Sequence, residues 1–208
     1  NMDREQVFVK IDFRNAFNTL RRDSILEAVA KHFPELLPFT ISSIGSPLNL
    51  QFGDYMLSSD EGAQQDDPLE PLYFCLAFIE LLQSLKSELT LGYLDDVAMG
   101  GDAKTVLEDF LHLEATAKEF GLKLNRSKCE VVGHTEETRR LFATQNVILP
   151  ETSMSSVILL GAPLSAGQHL DDVLTVKRKE LELLTYRLTL MPAHDSLYLL
   201  RNVLIAPR

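Results

Sequence analysis

The fold is best interpreted from residues 91–101, LGYLDDVAMGG, around which the other segments of the chain are arranged. Two apolar runs of strand character flank the adjacent carboxylates of Asp95 and Asp96. Aspartate is common in turns, so a plain hairpin is the simplest interpretation. A two-residue hairpin turn usually contains Gly or Asn beside the Asp, however, and neither follows Asp95. Two carboxylates on a tight turn repel each other, and a divalent cation between them would remove that cost. This stretch alone favours the plain turn over a metal site.

A third aspartate lies near the end of a predicted strand. In residues 7–13, VFVKIDF, every second residue from Val7 to Phe13 is apolar, and this period of two predicts a strand. Asp12 therefore points to the face opposite Ile11. If this strand and the hairpin are neighbours in one sheet, Asp12 and one of the paired aspartates converge at one edge. Two Mg²⁺ ions about 3.5–4 Å apart require such a cluster of hard oxygen ligands.

The other segments predict short strands and amphipathic helices, with boundaries set by capping residues, turn residues and apolar periodicity. In the first part of the chain we predict a turn or short helix at residues 16–17, a helix that a capping box of Ser24 and Glu27 opens and Pro34 ends, and a hairpin around Gly53 and Asp54. A buried helix is predicted over 72–85, and a second helix is predicted to be capped by Asp102 and stopped by Gly121. After it we predict strands at the end of 122–132 and at 157–160, and helices at 170–190 and 196–204. This order predicts an α+β domain, an antiparallel sheet with helices packed on one face.

The composition is that of an ordinary folded domain. Of the 208 residues, 45% are hydrophobic and 24% are charged. No apolar run approaches the roughly 20 residues that span a bilayer, and no secretory signal is recognised. Cys75 and Cys129 lie in apolar runs, which favours core positions in a reducing interior over a disulfide framework. We therefore expect an intracellular protein, nuclear or cytoplasmic, without a membrane partner.

The net charge restricts what the chain can bind. Its formal value is −10 at pH 7, whereas a free-standing nucleic-acid binder usually carries a basic face. Binding of a polyanion would therefore require metal ions or a basic partner. A composition shift near Ser165 begins a helical tail that is less acidic than the preceding residues.

Five segments stand in the order of motifs A to E of reverse transcriptases, and they most resemble the enzymes of non-LTR retrotransposons. The segments are KIDFRNAF (10–17), GAQQDDPLEP (62–71), YLDD (93–96), GLKLNRSKCE (121–130) and ILLGAPL (158–164). YLDD alone is weak evidence, but five motifs in order over about three-quarters of the chain leave little room for coincidence. The resemblance implies a right-hand polymerase palm over 1–165, with part of the fingers inserted at about 22–60, and the start of a helical thumb over 166–208.

The resemblance also implies a catalytic set. Asp12, Asp95 and the backbone of Phe13 would bind two Mg²⁺ ions, with Mn²⁺ as a possible substitute, while Asp96 would support the site. Lys128 matches the motif D lysine that protonates or neutralises the departing pyrophosphate. A solvated surface lysine is an equally good interpretation of Lys128.

Further residues would bind the nucleotide. Phe13 and Arg14 would offer backbone N–H groups to the triphosphate, and Gln65 would line the nucleotide pocket. Phe17 matches the aromatic gate that stacks under the sugar and excludes a 2′-OH. Core packing beside Ala16 is the alternative interpretation of Phe17, and the two uses are compatible.

The resemblance implies a primer grip and a set of partners. Leu160 and Gly161 would form the primer grip. The partners of the full-length enzyme would be an RNA template, a DNA primer and a deoxynucleoside triphosphate. The basic fingers segment that normally precedes motif A, and most of the thumb, are expected to lie outside these residues.

The chain departs from the family pattern in the segment that matches motif B. Family members typically read QGDPLGP where residues 65–71 read QDDPLEP. Glycine at such positions lets template and nucleotide approach the backbone closely. Asp66 and Glu70 add bulk and negative charge there, and each would cost on the order of 1–4 kcal/mol beside a phosphate.

Three function classes follow from these observations. The first is an RNA-directed DNA polymerase palm that is catalytic when joined to fingers and thumb and inactive or very weak in isolation. The second is a domesticated or remnant palm that acts as a binding or structural module, which the acids at 66 and 70 and the pI near 5.0 favour. The third, a phosphohydrolase or nucleotidyl cyclase on a similar sheet, would also use paired Asp and Mg²⁺, but motifs B, D and E argue against it.

Overall fold

The structure is a computed structural model that describes residues 6–63, 67–133 and 135–204. The chain divides into two compact units, residues 1–153 and 154–208. This division precedes the composition shift at Ser165, and the assignment of the two parts to palm and thumb remains a prediction.

The first unit alternates helices with short strands. In chain order its elements are β1 (Gln6–Ile11), α1 (Ala16–Thr19), α2 (Arg22–His32), α3 (Leu37–Ile44), β2 (Leu48–Phe52), β3 (Tyr55–Ser59), α4 (Glu70–Ser84), β4 (Leu89–Tyr93), β5 (Asp96–Asp102), α5 (Ala103–Ala117), β6 (Glu130–Val132) and α6 (Glu136–Thr144). Single 3₁₀ turns, Pro34–Leu36 and Lys118–Phe120, join α2 to α3 and end α5.

A four-stranded antiparallel sheet with the order β4-β5-β1-β6 organises the unit. In its register, Ile11 of β1 lies opposite Val97 of β5, and Lys10 lies opposite Glu130 of β6. The strand that ends at Asp12 and the strand that follows the paired aspartates are therefore immediate neighbours. The predicted α+β fold with an antiparallel sheet is confirmed.

One face of this sheet is packed and the other is more open. Alternate residues of β1 and β5, among them Val9, Ile11 and Met99, belong to the same buried core as the apolar residues of α4 and α5. The opposite face carries Lys10, which forms a 3.8 Å ion pair with Glu130. Period-2 alternation thus separates a helix-covered face from a face that includes the positions of Asp12 and Asp96.

Several predicted boundaries are confirmed by the hydrogen bonds that form them. The side chain of Asp102 accepts the N–H groups of Lys104 and Thr105, each at 3.1 Å, and so caps α5. The turn that follows α5 ends at Gly121, whose φ of 83° is a left-handed conformation favoured by glycine. The β2–β3 hairpin around Gly53 and Asp54 is also present.

The predicted capping box of Ser24 and Glu27 is wrong. Helix α2 begins at Arg22, so Ser24 lies inside its first turn. The guanidinium of Arg22 is buried and donates to the carbonyls of Gly62 (3.0 Å) and Ser46 (3.1 Å) and to the hydroxyl of Ser59 (3.1 Å). These tertiary bonds favour the earlier start of the helix over the local capping signal, and they hold the β2–β3 hairpin against α2.

The second unit contains β7 (Ile158–Leu159), β8 (Ala162–Pro163), α7 (Gln168–Thr189) and α8 (Ala193–Leu199), followed by a π turn at Leu200–Leu204. Strands β7 and β8 form a small antiparallel hairpin, and the two predicted tail helices are confirmed. Within the described part of the chain, no helix combines the length and apolarity needed to cross a membrane.

A buried carboxylate on α5 fixes the entry to β4. Oδ2 of Asp109 accepts the backbone N–H groups of Lys86 (2.8 Å) and Ser87 (2.6 Å) and the Ser87 hydroxyl (2.6 Å). Asp109→Ala should lower the free energy of unfolding by about 2–4 kcal/mol, because backbone N–H donors lose their acceptor. Chemical denaturation measures the change, with Glu108→Ala on the exposed side of the same helix as the matched control. Equal effects of the two substitutions would contradict this role for Asp109.

Candidate active site

Three aspartates meet where β1 ends and β5 begins. Ile11 pairs with Val97, so Asp12 follows β1 at the level where Asp96 opens β5. Tyr93 pairs with Asp96, which leaves a two-residue turn of Leu94 and Asp95 at the tip of the β4–β5 hairpin. The expected convergence of Asp12 with the paired aspartates at one edge of the sheet is present.

The turn that carries Asp95 has a strained backbone. Leu94 has a φ of 56°, in the left-handed region that residues other than Gly and Asn rarely adopt. Such a conformation costs about 1–2 kcal/mol for an ordinary L-residue. The sequence places no Gly or Asn in this turn, and the strain at Leu94 is the consequence.

The carboxyl groups at this edge interact electrostatically. Burial raises the pKa of Asp95 above its ordinary value, and the negative charges of Asp96 and Asp12 raise it further. The charge on Asp95 is therefore destabilised by desolvation and by two like charges. A bound cation is the arrangement that would relieve both effects.

The loop of residues 122–129 holds the backbone of Asp12. The carbonyl of Asp12 accepts the Asn125 N–H at 2.8 Å, and the Asp12 N–H donates to Sγ of Cys129 at 3.5 Å. Cys129 is fully buried, and burial raises the pKa of its thiol. The motif D segment thus fixes the strand end from which Asp12 projects.

Backbone bonds in this region distinguish the two N–H groups that were predicted to bind the triphosphate, those of Phe13 and Arg14. Phe13 and Leu124 form an isolated antiparallel bridge in which the Arg14 N–H donates to the Lys123 carbonyl at 2.9 Å. The Arg14 amide is therefore already occupied, and its predicted bond to the triphosphate is not supported. Backbone groups alternate in direction along a strand, so the N–H and C=O of Phe13 point to the β5 side.

Arg126 anchors the same loop to α5. Its guanidinium forms paired bonds with the Glu114 carboxylate at 2.8 and 2.6 Å and donates to the Asn146 carbonyl at 2.8 Å. It also lies 5.8 Å from the centre of the Phe110 ring. Lys128, on this anchored loop, is exposed, and its role as an acid remains a prediction.

Phe17 lies on α1, immediately after the motif A strand. Its ring is half-buried and packs against Phe74 of α4, with 4.8 Å between the ring centres. The Phe17 carbonyl accepts the Ala63 N–H at 3.2 Å, so the segment that begins motif B starts beside α1. Gln65 and Asp66 lie outside the described residues.

The two predicted primer-grip residues form the turn of the β7–β8 hairpin in the second unit. Leu160 and Gly161 have φ values of 49° and 77°, and this pair of positive values is typical of a type I′ turn. The Leu160 side chain is about half exposed. A role in binding the primer remains a prediction.

The donor set at the sheet edge fits a hard divalent cation. The carboxylates of Asp12 and Asp95 and the carbonyl of Phe13 are the oxygen ligands that Mg²⁺ prefers. Among the described residues, no group of three or more His, Cys, Asp or Glu side chains is arranged to hold a metal ion. Burial and, after it, the negative charges of Asp96 and Asp12 raise the pKa of Asp95, and this destabilised charge is the observation that supports the fit.

A comparison with protein families identifies the fold. The family described as reverse transcriptase (RNA-dependent DNA polymerase) matches residues 1–185. The chain belongs to the reverse transcriptase family. The match includes all five motif segments, the whole first unit and residues 154–185 of the second.

The reverse transcriptase chain is similar to proteins of two kinds. It is 28% identical over 154 residues to the retrovirus-related Pol polyprotein from the type-2 retrotransposable element R2DM of Drosophila melanogaster, over 64% of the chain and 13% of the polyprotein. The chain thus spans about an eighth of that relative's length. This similarity agrees with the expected resemblance to retrotransposon enzymes.

Solved telomerase structures resemble the chain in fold. The telomerase of Candida albicans, in complex with a TWJ fragment of telomeric RNA, matches with a TM-score of 0.51 at 11% identity over 64% of this chain and 28% of that chain. The apo telomerase of Candida tropicalis matches with a TM-score of 0.47 at 14% identity over 60% of this chain and 28% of that chain. At these identities, the Candida albicans match supports the fold alone.

Sequence reasoning missed the residues that hold the site. The sequence predicts core positions for Cys129 and Phe74 but no contact with Asp12 or Phe17, and it assigns Asn125 and Arg126 no role beyond the motif D segment. The Asn-Arg-Ser-Lys run after Leu124 is a turn signal, but the turn's attachment to Asp12 joins residues more than 110 positions apart. Nothing local in the sequence encodes that contact.

The raised pKa of Asp95 predicts a pH-dependent penalty on stability. A carboxyl whose folded-state pKa is raised is most favourable below its unfolded value, 3.8, and loses that contribution as the pH rises through the folded value. Asp95→Asn should therefore raise the free energy of unfolding at pH 7 by about 1 kcal/mol or less, because it removes a partly desolvated charge and its screened repulsion from two like charges. The gain should disappear below pH 3.8. Denaturation across this range without divalent ions measures it.

The matched control for this prediction is Asp54→Asn on the exposed β2–β3 turn, which should change stability little at any pH. A gain for Asp95→Asn that persists undiminished at low pH would indicate packing and not charge as the cause.

Proposed function

We propose that this chain is the palm of an RNA-directed DNA polymerase that joins deoxynucleotides at a two-metal site formed by Asp12 and Asp95. One observation carries the proposal: the register of β1 with β5 brings Asp12 to the turn of Asp95, where the two carboxylates interact. An RNA template, a DNA primer and a deoxynucleoside triphosphate are the proposed partners.

Each residue at the site has a distinct proposed task. Asp12 and Asp95 bind the divalent ions together with the carbonyl of Phe13, and Asp96 supports the hairpin that carries Asp95. The chemistry that two bound ions would supply is a lowered pKa of the attacking 3′-hydroxyl and stabilisation of the leaving oxygen. Lys128 donates a proton to the departing pyrophosphate, and its exposure on an anchored loop is compatible with this task.

The nucleotide is oriented by the segments that flank Asp12. The Phe13 N–H, which points to the β5 side, is offered to the triphosphate. The Phe17 ring lies beneath the sugar and blocks a 2′-OH. Gln65 lines the pocket, and Leu160 and Gly161 hold the primer.

A non-catalytic palm is the alternative, and a structural fact bears on it. Glu70 is the first residue of α4, where an acidic side chain is stabilised by the helix dipole. Asp67 caps the preceding turn, because its Oδ1 accepts the Leu69 N–H at 2.8 Å. Glu70 therefore stabilises the start of α4. A palm that serves only as a folded module would keep an acid at this position.

Metal binding distinguishes the two functions before any catalysis is measured. Mn²⁺ titrated into the chain should bind, with the free ion followed by electron paramagnetic resonance. Asp12→Asn and Asp95→Asn should each weaken binding by at least about tenfold, since each removes a carboxylate ligand. Asp195→Asn, on exposed α8, is the matched control and should leave the affinity unchanged. Equal affinities in all four proteins would reject the proposed metal site.

Primer extension tests the polymerase activity itself. On an RNA template with Mg²⁺, the 208-residue chain should extend a DNA primer very slowly or not at all, because its charge of −10 disfavours nucleic acid. In a longer chain that carries the fingers, Asp66→Gly with Glu70→Gly should tighten nucleotide binding by removing two negative charges.

Two results would count against these expectations. Robust extension by the isolated chain would show that it needs no further segments. An unchanged nucleotide affinity in the double variant would show that the acids at 66 and 70 do not oppose the substrate.

A further inference from the structure

Four aromatic rings in a row connect Phe13 and Phe17, both in the motif A segment, through two rings of α4. The Phe17 ring packs on Phe74 at 4.8 Å with a 42° tilt, and Phe74 packs on Phe78 at 5.6 Å. Phe78 in turn meets Phe13 edge-on, with ring centres 5.4 Å apart and planes at 89°. Residues 13 and 17, which flank the turn after Asp12, are therefore both supported by one helix.

Helix α1 is too short to fix Phe17 without this support. It comprises Ala16–Thr19, and its N-cap residue, Asn15, has a left-handed φ of 47° and makes no side-chain capping bond. A single helical turn is unfavourable in isolation, because nucleation fixes several residues for few hydrogen bonds. The position of the Phe17 ring therefore depends on what it packs against.

Phe74 is the rigid partner in this contact. It is 1% exposed and lies in the main core on a fifteen-residue helix, whereas Phe17 is only half-buried. Phe74 is thus held by the core on one side and presents its ring to Phe17 on the other. Tilted aromatic pairs at this separation attract each other beyond the effect of burial.

We propose that Phe74 is a positioning residue that fixes the ring of Phe17 and thereby sets how strictly the site separates deoxyribonucleoside from ribonucleoside triphosphates. The inference rests on the proposed function, in which Phe17 lies beneath the sugar. Exclusion of the 2′-hydroxyl requires that the Phe17 ring keeps a fixed position beneath the sugar. Phe74 fixes that position, since the single turn of α1 cannot do so alone.

The first measurement reads the Phe17 ring directly and needs no catalysis. With 4-fluorophenylalanine in place of Phe17, the ¹⁹F resonance reports its surroundings in the 208-residue chain. Phe74→Leu should move and broaden this resonance, because the adjacent ring is lost. Phe110→Leu removes a ring of equal burial from α5 and should leave the resonance in place. An unmoved resonance in Phe74→Leu, in a chain that remains folded, would overturn the proposal.

The second measurement reads sugar selection. Single-turnover incorporation of dTTP and UTP by the longer chain that carries the fingers, in excess over primer–template and with Mn²⁺, gives the ratio of the two values of kcat/KM. Phe74→Leu should lower this ratio about three- to tenfold, the range expected for one aromatic pair. Phe110→Leu should reduce both rates together and keep the ratio, because the Phe110 ring lies against Arg126 of the loop that holds Asp12.

The outcomes separate this inference from the proposed function. An unchanged ratio in Phe74→Leu would reject the role of Phe74 and leave the polymerase proposal intact. Equal Mn²⁺ affinities of the wild-type chain and its Asp12→Asn and Asp95→Asn variants would contradict the proposed function and, with it, the selective role of Phe74.

Discussion

The antiparallel pairing of β1 with β5 is the constraint on which the rest of the structure depends. It fixes which residue of one strand faces which residue of the other, so that Asp12 reaches the level of Asp96. A slip of one residue would turn Asp12 into the helix-covered face and would expose Ile11. The buried side chains of Val9, Ile11 and Met99 prevent that slip, because the apolar core accepts only one register. Core packing therefore determines the geometry of the charged edge.

The edge itself is unfavourable in the absence of a cation, and its surroundings hold it in place. Asp95 carries a raised pKa, and Leu94 has a strained backbone. The backbone of Asp12 is bound from the other side by Asn125 and Cys129. Strain and like-charge repulsion persist at functional sites only when neighbouring contacts over-determine the conformation. The loop of residues 122–129, anchored through Arg126, supplies such contacts to the backbone of Asp12.

Most of the fold could be predicted from the sequence, because its signals are local. Period-2 alternation predicted β1, the Asp102 cap predicted the start of α5, and Gly121 predicted its end. Helices α3 and α6 were missed, since both are short, although Thr135 forms a capping box with Thr138 at the start of α6. The aspartate cluster could be predicted from the motifs and the strand pattern. Its supports could not, because the bonds of Arg22, Cys129 and Arg126 join distant segments.

The buried guanidinium of Arg22 has a mechanical consequence. It binds the carbonyl of Gly62, while the next residue, Ala63, donates to the carbonyl of Phe17. The same guanidinium binds Ser59 at the end of the β2–β3 hairpin. One side chain and the peptide groups of residues 62 and 63 therefore connect the hairpin to α1, so loss of the Arg22 guanidinium would remove the support of both at once.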